Sequence, residues 1–99
     1  MIKITQAKGF QLTFHNGLTL AVQIGPGNYC DNYDMDWVSF ALTTTTNSNI
    51  QSRNAEVAIW DESGDWITEK FLGEGNIVVG YLTVDDIVDL IIKIYNYKK

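Results

Sequence analysis

Alternation of apolar and polar residues on both sides of one Asn-Gly step constrains the fold of this chain more than any other feature. Residues 10–24 read Phe-Gln-Leu-Thr-Phe, then His15-Asn16-Gly17, then Leu-Thr-Leu-Ala-Val-Gln-Ile. Such alternation is typical of strands with one buried face, and Asn-Gly between two of them is a strong signal for a tight turn. The segment therefore predicts an antiparallel β-hairpin.

The register of this hairpin follows from the need to bury one face. A two-residue loop at Asn16-Gly17 would divide the apolar side chains between the two faces of the sheet. A three-residue loop from His15 to Gly17, with Gly17 in the left-handed conformation, places all of them on one face. We therefore expect the three-residue loop. It pairs Phe10 with Val22, Leu12 with Leu20 and Phe14 with Leu18.

A second hairpin is predicted around Glu62-Ser63-Gly64, again as a three-residue loop with a left-handed glycine. This register combines two apolar or aromatic pairs with one pair of opposite charges, which favours it over other registers. The predicted pairs are Ile59 with Ile67, Trp60 with Trp66, and Glu56 with Lys70.

Two further strands and one helix complete the predicted elements. Alternation favours a strand over Trp37–Thr44, a polar connection follows it, and 77–79 reads as a short strand. Thr83 followed by Asp86 is a variant of the capping box, which predicts a helix from this point towards the C-terminus.

The apolar residues of the predicted helix cover an arc of about 200° at 100° per residue. A helix that lies on one face of a sheet needs a stripe of roughly 100° or a little more. The wide arc predicts a second burial surface, either a covering loop or another subunit, and so a homodimer. Together these elements predict a single α+β domain over residues 1–99, with five or six mostly antiparallel strands and one C-terminal helix packed on the sheet.

Composition narrows the classes of partner. The formal charge of −5 disfavours binding to nucleic-acid phosphates or anionic membranes. Cys30 is the only cysteine, so the chain has no intrachain disulfide, and no apolar run approaches the roughly 18 residues of a membrane span. The N-terminal residues also lack the apolar run of a signal peptide. A reducing cytoplasm is the expected compartment.

The loop from Gly25 to Asp36 contains a partial match to a calcium-binding loop. Asn32, Asp34 and Asp36 stand at the first three ligand positions, but Trp37 occupies the position that requires glycine. Thr43 stands where the bidentate glutamate is expected. An acidic solvated loop is the favoured interpretation, and we predict no metal and no cofactor.

Catalysis is not predicted. A nucleophilic Cys30 would need a neighbouring base, and the only histidine, His15, stands on a hairpin tip. The chain offers aromatic and polar candidates for binding instead. If Ile59 and Ile67 face the helix, Trp60 and Trp66 form an aromatic platform on the opposite face, unless the sheet curls or dimerises and buries them. The predicted ligand-binding residues are Asn28, Tyr29, Asp31, Tyr33, Trp37, Trp60 and Trp66.

Three segments carry a resemblance to a class of proteins. They are the run from Phe10 to Cys30, the run Ala55-Glu-Val-Ala-Ile-Trp60, and the run Gly80-Tyr-Leu-Thr-x-Asp-Asp86. On these segments the chain resembles short accessory proteins of phages and prophages that have no assigned activity. The resemblance implies a non-enzymatic binding protein, such as an anti-defence factor that inhibits a host protein. The acidic and aromatic surface would make that contact. The alternative is a small-ligand or nucleotide-sequestering protein that uses the Gly25–Asp36 loop and a subunit interface.

Overall fold

The computed structural model describes residues 1–5, 8–45 and 51–98, with backbone only for residues 43–45. The described strands are β1 (Ile2–Thr5), β2 (Gly9–Thr13), β3 (Thr19–Gln23), β4 (Asn54–Trp60) and β5 (Val79–Thr83). The described helices are α1 (Trp37–Thr45), α2 (Glu69–Leu72) and α3 (Val84–Tyr95).

The five strands form one antiparallel sheet in the order β1-β2-β3-β4-β5, so each strand pairs with its neighbours in sequence. Helix α3 packs on one face of this sheet, which confirms the predicted α+β class. The three-residue loop of the first hairpin is also confirmed, because Gly17 has φ 84° and the Phe14 N–H donates to the Leu18 carbonyl at 2.8 Å. Phe10 lies opposite Val22, and Leu12 lies opposite Leu20.

The second hairpin is confirmed only as far as Ile67. Gly64 has φ 87°, Trp60 lies opposite Trp66, and the Ile67 N–H donates to the Ile59 carbonyl at 2.8 Å. The predicted strand then ends, because the Thr68 hydroxyl accepts the Ile59 N–H at 2.9 Å in place of a backbone carbonyl.

The predicted pairing of Glu56 with Lys70 is wrong. Lys70 belongs to α2, and β5 occupies the edge of β4 that the longer hairpin would have used. On its other edge, Glu56 lies opposite Gln23 of β3. Local pairing rules could not detect that a later strand competes for the same edge.

The predicted strand over Trp37–Thr44 is also wrong, because this segment forms α1. The Asp36 carboxylate accepts the Ser39 N–H at 2.9 Å, and the Asp36 carbonyl accepts the Phe40 N–H at 2.9 Å. An aspartate that binds the free N–H groups of the first turn stabilises a helix start. This cap, together with the absence of an open edge on β3, outweighs the alternation of the segment.

Two smaller differences concern the strands at the edges of the sheet. A strand was predicted at residues 77–79, whereas β5 begins at Val79 and continues to Thr83. Strand β1 was not predicted, although Ile2-Lys3-Ile4-Thr5 alternates in the manner of an edge strand.

The core lies between the sheet and α3. Its buried side chains include Leu20, Val57 and Ile59 of the central strands and Leu90 and Ile94 of the helix. No helix in the described ranges is long and apolar enough to cross a membrane.

Helix α3 crosses the sheet obliquely. Its N-terminus follows Thr83, which lies opposite Asn54 at the start of β4. At the other end of the sheet, the Asn16 amide in the β2–β3 turn donates to the carbonyl of Ile94 in the last turn of α3 at 2.8 Å and to that of Tyr97, just past the helix, at 3.2 Å. The predicted capping box is confirmed, since Thr83 and Asp86 each accept the backbone N–H of the other.

Candidate ligand-binding groove

A groove of about 240 Å³ lies on the face of the sheet opposite α3. Its floor is formed by Ala21 and Ala58, which pair directly across β3 and β4. Both positions alternate with core residues, so their side chains point away from the helix. Small side chains between larger neighbours leave a depression. We call this depression the Trp–Gln groove, and its lining residues are Gln11, Ala21, Gln23, Glu56, Val57, Ala58, Trp60, Trp66 and Val78.

Two indole rings form one end of the Trp–Gln groove. The ring centroids of Trp60 and Trp66 lie 6.0 Å apart at an interplanar angle of 36°, and Trp66 is 52% exposed. The turn between them is fixed by the Asp61 carboxylate, which accepts the N–H groups of Ser63 and Asp65 at 2.9 and 3.0 Å. The hairpin thus holds an exposed aromatic face beside an apolar floor.

Glutamine side chains from two adjacent strands form the β2–β3 side of the groove. Gln11 lies opposite Ala21, and Gln23 lies two positions further along β3. The Gln23 carbonyl oxygen accepts the Asn28 amide at 3.3 Å. Among contacts with the described residues, no hydrogen bond engages the Gln11 amide or the Gln23 NH₂ group. These groups offer both donors and acceptors to a ligand.

Glu56 forms the end of the groove opposite the tryptophans. It lies four positions before Trp60 along β4, a span of about 13 Å for an extended strand. One Glu56 oxygen accepts the Asn28 amide at 3.1 Å, and the other accepts the Tyr29 N–H at 3.0 Å. Asn28 is buried, and its own carbonyl oxygen has no hydrogen-bond partner among the described residues. The carboxylate therefore anchors the 25–36 loop against the sheet, and no other hydrogen bond from the described residues engages it.

The close approach of this loop to β5 depends on Gly80. A Cβ atom at position 80 would collide with the Cβ of Tyr29 and would lie 2.8 Å from the Tyr29 carbonyl oxygen. The same carbonyl accepts the Tyr81 N–H at 2.8 Å. The loop can therefore seat itself at the end of the groove only because residue 80 has no side chain.

The structure separates the predicted ligand-binding residues into two sets. Trp60 and Trp66 line the Trp–Gln groove, and Asn28 and Tyr29 hold its Glu56 end. The residues of the second set do not line the groove, and they are Asp31, Tyr33 and Trp37.

Each residue of the second set has other contacts. Tyr33 stacks on Tyr29 with ring centroids 5.6 Å apart and an interplanar angle of 1°. Trp37 contacts Phe40, and the Lys8 ammonium lies 4.8 Å from its ring centroid.

Asp31 fastens the loop to the start of β4. Its carboxylate accepts the Arg53 guanidinium at 2.7 Å and the Asn54 amide at 3.0 Å. The hydrogen bond from Arg53, and then that from Asn54, lowers the pKa of Asp31 below its ordinary value. The aspartate is thus engaged in structural contacts at the loop base.

Sequence reasoning missed the glutamines, the alanine floor and Glu56 as groove residues. A signal for them existed. Once the three-residue loop sets the register, Gln11, Ala21 and Gln23 must share the face opposite the core, and Ala58 and Glu56 alternate with the core residues of β4. Trp60 and Trp66 were predicted on this face, but the polar side chains beside them were not recognised as part of the same site.

Cys30 and His15 lie at opposite ends of the sheet. The buried Cys30 sulfur lies 3.8 Å from the Gly25 carbonyl oxygen, whereas a His15 ring nitrogen lies 2.9 Å from the Tyr95 carbonyl oxygen. The residues that suggested a calcium loop also have local partners, since the Asn32 amide donates to the Gln51 carbonyl and Asp36 caps α1. Within the described ranges no three His, Cys, Asp or Glu side chains come together as a metal site.

Comparisons of the chain with models of known families, with curated proteins and with solved structures gave no match.

Proposed function

We propose that this protein binds a small, flat, neutral or positively charged ring compound of the nucleobase or nucleoside class. The observation that carries the proposal is the exposed Trp66 ring beside the Ala21–Ala58 floor, with glutamine amides on the adjoining side. This arrangement favours a small ligand as the target, the second of the two functions considered from the sequence.

The exposed indole ring of Trp66 favours a flat ligand that can stack on it. Base-on-aromatic stacking contributes about 1–3 kcal/mol per base and tolerates different bases, because every base has a π-face. A ring that rests on Trp66 would extend over the apolar floor and bring its polar edge to Gln11 and Gln23. An amide can pair with an adjacent donor and acceptor on a base edge, so the glutamines supply selectivity.

Charge and size define the ligand further. Glu56 lies at one end of the groove and the chain carries a formal charge of −5, so a phosphate-bearing ligand would be repelled. A volume of about 240 Å³ lies below the roughly 300–1,000 Å³ of sites for drug-sized molecules. Both properties favour a free base or nucleoside over a nucleotide.

The proposed function is binding without catalysis, because Cys30 and His15 lie at opposite ends of the sheet and cannot act together as nucleophile and base. We propose a cytoplasmic location, in keeping with a free and buried cysteine. The resemblance to phage accessory proteins would then correspond to sequestration of a nucleobase-like signal.

The second candidate function is inhibition of a host protein through an acidic and aromatic surface. The observation that favours it is the parallel stack of Tyr29 and Tyr33, both exposed by more than 40%, with the exposed Asp34 next in sequence. Tyrosines with an apolar ring and a polar tip are enriched at protein interfaces. A basic surface patch would be the complementary partner.

Calorimetric titration with adenosine, guanosine, cytidine and uridine tests the first function, using Trp66→Ala and Trp37→Ala as a matched pair. The two tryptophans are similarly exposed, at 52% and 56%, but only Trp66 lines the groove. We expect Trp66→Ala to weaken binding of the preferred nucleoside roughly tenfold or more and Trp37→Ala to leave it unchanged. The corresponding 5′-monophosphate should bind more weakly than the nucleoside.

Absence of binding to all four nucleosides and their free bases at millimolar concentration would contradict the proposal. Equal losses in the two tryptophan variants would place the ligand outside the groove. Binding that depends on Tyr29 and Tyr33 and weakens with salt would instead support the second function.

A further inference from the structure

Helix α3 is too narrow to cover the sheet on which it lies. Five strands at about 4.8 Å spacing span about 19 Å, whereas a helix with its side chains is about 10–12 Å wide. The helix runs from the β5 end of the sheet to the β2–β3 turn, so β1 lies outside its path. Ile2 and Ile4 of β1 share the core face with Leu12 and Phe10 through direct pairing, yet they are 75% and 78% exposed.

The exposed side of α3 is apolar as well. Four of its residues, all 48–67% exposed, form a stripe along the helix: Val84, Val88, Ile92 and Tyr95. At 100° per residue this stripe lies on the flank opposite Lys93. Lys93 lines a depression together with Leu72 of α2, so α2 lies beside the other flank. The stripe therefore faces the uncovered β1 side of the sheet.

These two features together form the α3–β1 surface, defined as Ile2, Ile4, Val84, Val88, Ile92 and Tyr95. Six such side chains, each half to three-quarters exposed, present on the order of 500 Å² of apolar area. A standard interface buries about 800 Å² per partner, of which about 60% is apolar. The area matches what one partner contributes to a stable interface.

We propose that a second copy of this chain occupies the α3–β1 surface, with its α3 antiparallel to the first. Val84, Val88, Ile92 and Tyr95 recur every three or four residues, the spacing at which side chains share one face of a helix. The first turn of α3 carries Asp85 and Asp86 and its last turn carries Lys93.

In an antiparallel pair the acidic end of each helix lies beside the basic end of the other, whereas a parallel pair would place like charges together. The same arrangement lays each helix over the β1 side of its partner. The Trp–Gln groove is on the opposite face, so this dimer does not depend on the proposed ligand.

Sedimentation equilibrium over about 1–100 µM tests the proposal, with Val88→Glu and Ile4→Glu as the disrupting variants. We expect the wild-type protein to form dimers and each variant to raise the dimer dissociation constant roughly 30-fold or more. Ile77→Glu is the control, because Ile77 is 64% exposed but lies outside the α3–β1 surface. Circular dichroism would check that all variants fold.

The antiparallel arrangement has its own test, since it places Val84 beside Tyr95 of the second copy. A mixture of Val84→Cys and Tyr95→Cys proteins should form a mixed disulfide under mild oxidation, whereas neither variant alone should. A wild-type monomer at 100 µM, an unchanged dimer in Val88→Glu, or equal disruption by Ile77→Glu would overturn the proposed interface. Self-linking of Val84→Cys would overturn the antiparallel order.

Discussion

Ala21 lies directly opposite Ala58 across β3 and β4, and the two methyl groups form the floor of the Trp–Gln groove. Replacement of Ala58 by leucine would fill the space above the floor while leaving the opposite, core face of β4 unchanged. We expect Ala58→Leu to weaken nucleoside binding at least tenfold, because the ring could no longer lie flat on the floor. The free energy of unfolding should fall by no more than the about 1–3 kcal/mol that overpacking costs, because the added side chain lies in the groove and not in the core.

Calorimetric titration and urea denaturation on the same preparations would measure both effects. Glu74→Leu adds a leucine of the same size at an exposed turn outside the groove and is the control. Retained affinity in Ala58→Leu, with the fold intact, would show that the ligand binds elsewhere.

Asn16 joins the β2–β3 turn to the end of α3 and is a candidate for the largest stability effect among the half-buried polar residues. Its amide donates to the carbonyls of Ile94 and Tyr97, and its own carbonyl oxygen accepts the Leu18 N–H at 3.2 Å. Asn16→Ala leaves these groups unpaired and should cost about 1–3 kcal/mol of unfolding free energy. Asn16→Asp should cost more, because its negative charge would face helix carbonyls.

Urea denaturation of both Asn16 variants measures these losses. Asn76→Ala is a suitable comparison, since the Asn76 amide also donates to two carbonyls, those of Leu72 and Gly73, but the residue is exposed. Water can replace an exposed partner, so this variant should lose less stability. An equal loss of unfolding free energy in Asn16→Ala and Asn76→Ala would contradict a special role for Asn16 in holding the turn against the helix.

The capping box of α3 predicts a dependence of stability on pH. The hydrogen bond from the Thr83 backbone N–H, and then the one with the Thr83 side chain, holds the pKa of Asp86 below its ordinary value of 3.8. A carboxylate with a lowered pKa in the folded state stabilises the protein above about pH 3.8, and that contribution is lost as the pH falls through the folded-state pKa. Asp86→Asn should therefore lower the melting temperature at neutral pH, and the difference from wild type should shrink towards about pH 2.

Thermal denaturation followed by circular dichroism across this pH range tests the prediction. Asp89→Asn removes the same charge about one turn further along α3, where the side chain takes no part in the capping box, and should show a smaller pH-dependent difference. Thr83→Ala should cost about 1 kcal/mol of unfolding free energy, as loss of an N-cap usually does. A pH-independent difference between Asp86→Asn and wild type would contradict the role given to the carboxylate.

Half of the groove could be deduced from the sequence. The hairpin registers place Trp60 beside Trp66 and put Gln11, Ala21 and Gln23 on one face, because a turn with a left-handed glycine and a need to bury one face leave a single register. The other half could not. Glu56 was predicted to pair with Lys70. In the structure it lies opposite Gln23, and its carboxylate accepts hydrogen bonds from the loop residues Asn28 and Tyr29.

The sequence by itself determined the features that depend on residues close together in the chain. These are the two hairpin turns, the pairing of the residues next to them and the cap of α3 by Thr83 and Asp86. Turn conformations and caps are decided by steric limits and hydrogen bonds within a few residues, so the amino-acid types of those residues are enough to predict them.

Only the tertiary structure decided which segment occupies each strand edge. β5 pairs with the edge of β4 that the continuation of the second hairpin was predicted to use. Residues 37–45 form a helix, and both edges of β3 are paired with other strands. Strand pairing, loop seating and burial depend on competition between segments far apart in sequence, and local propensity does not measure that competition.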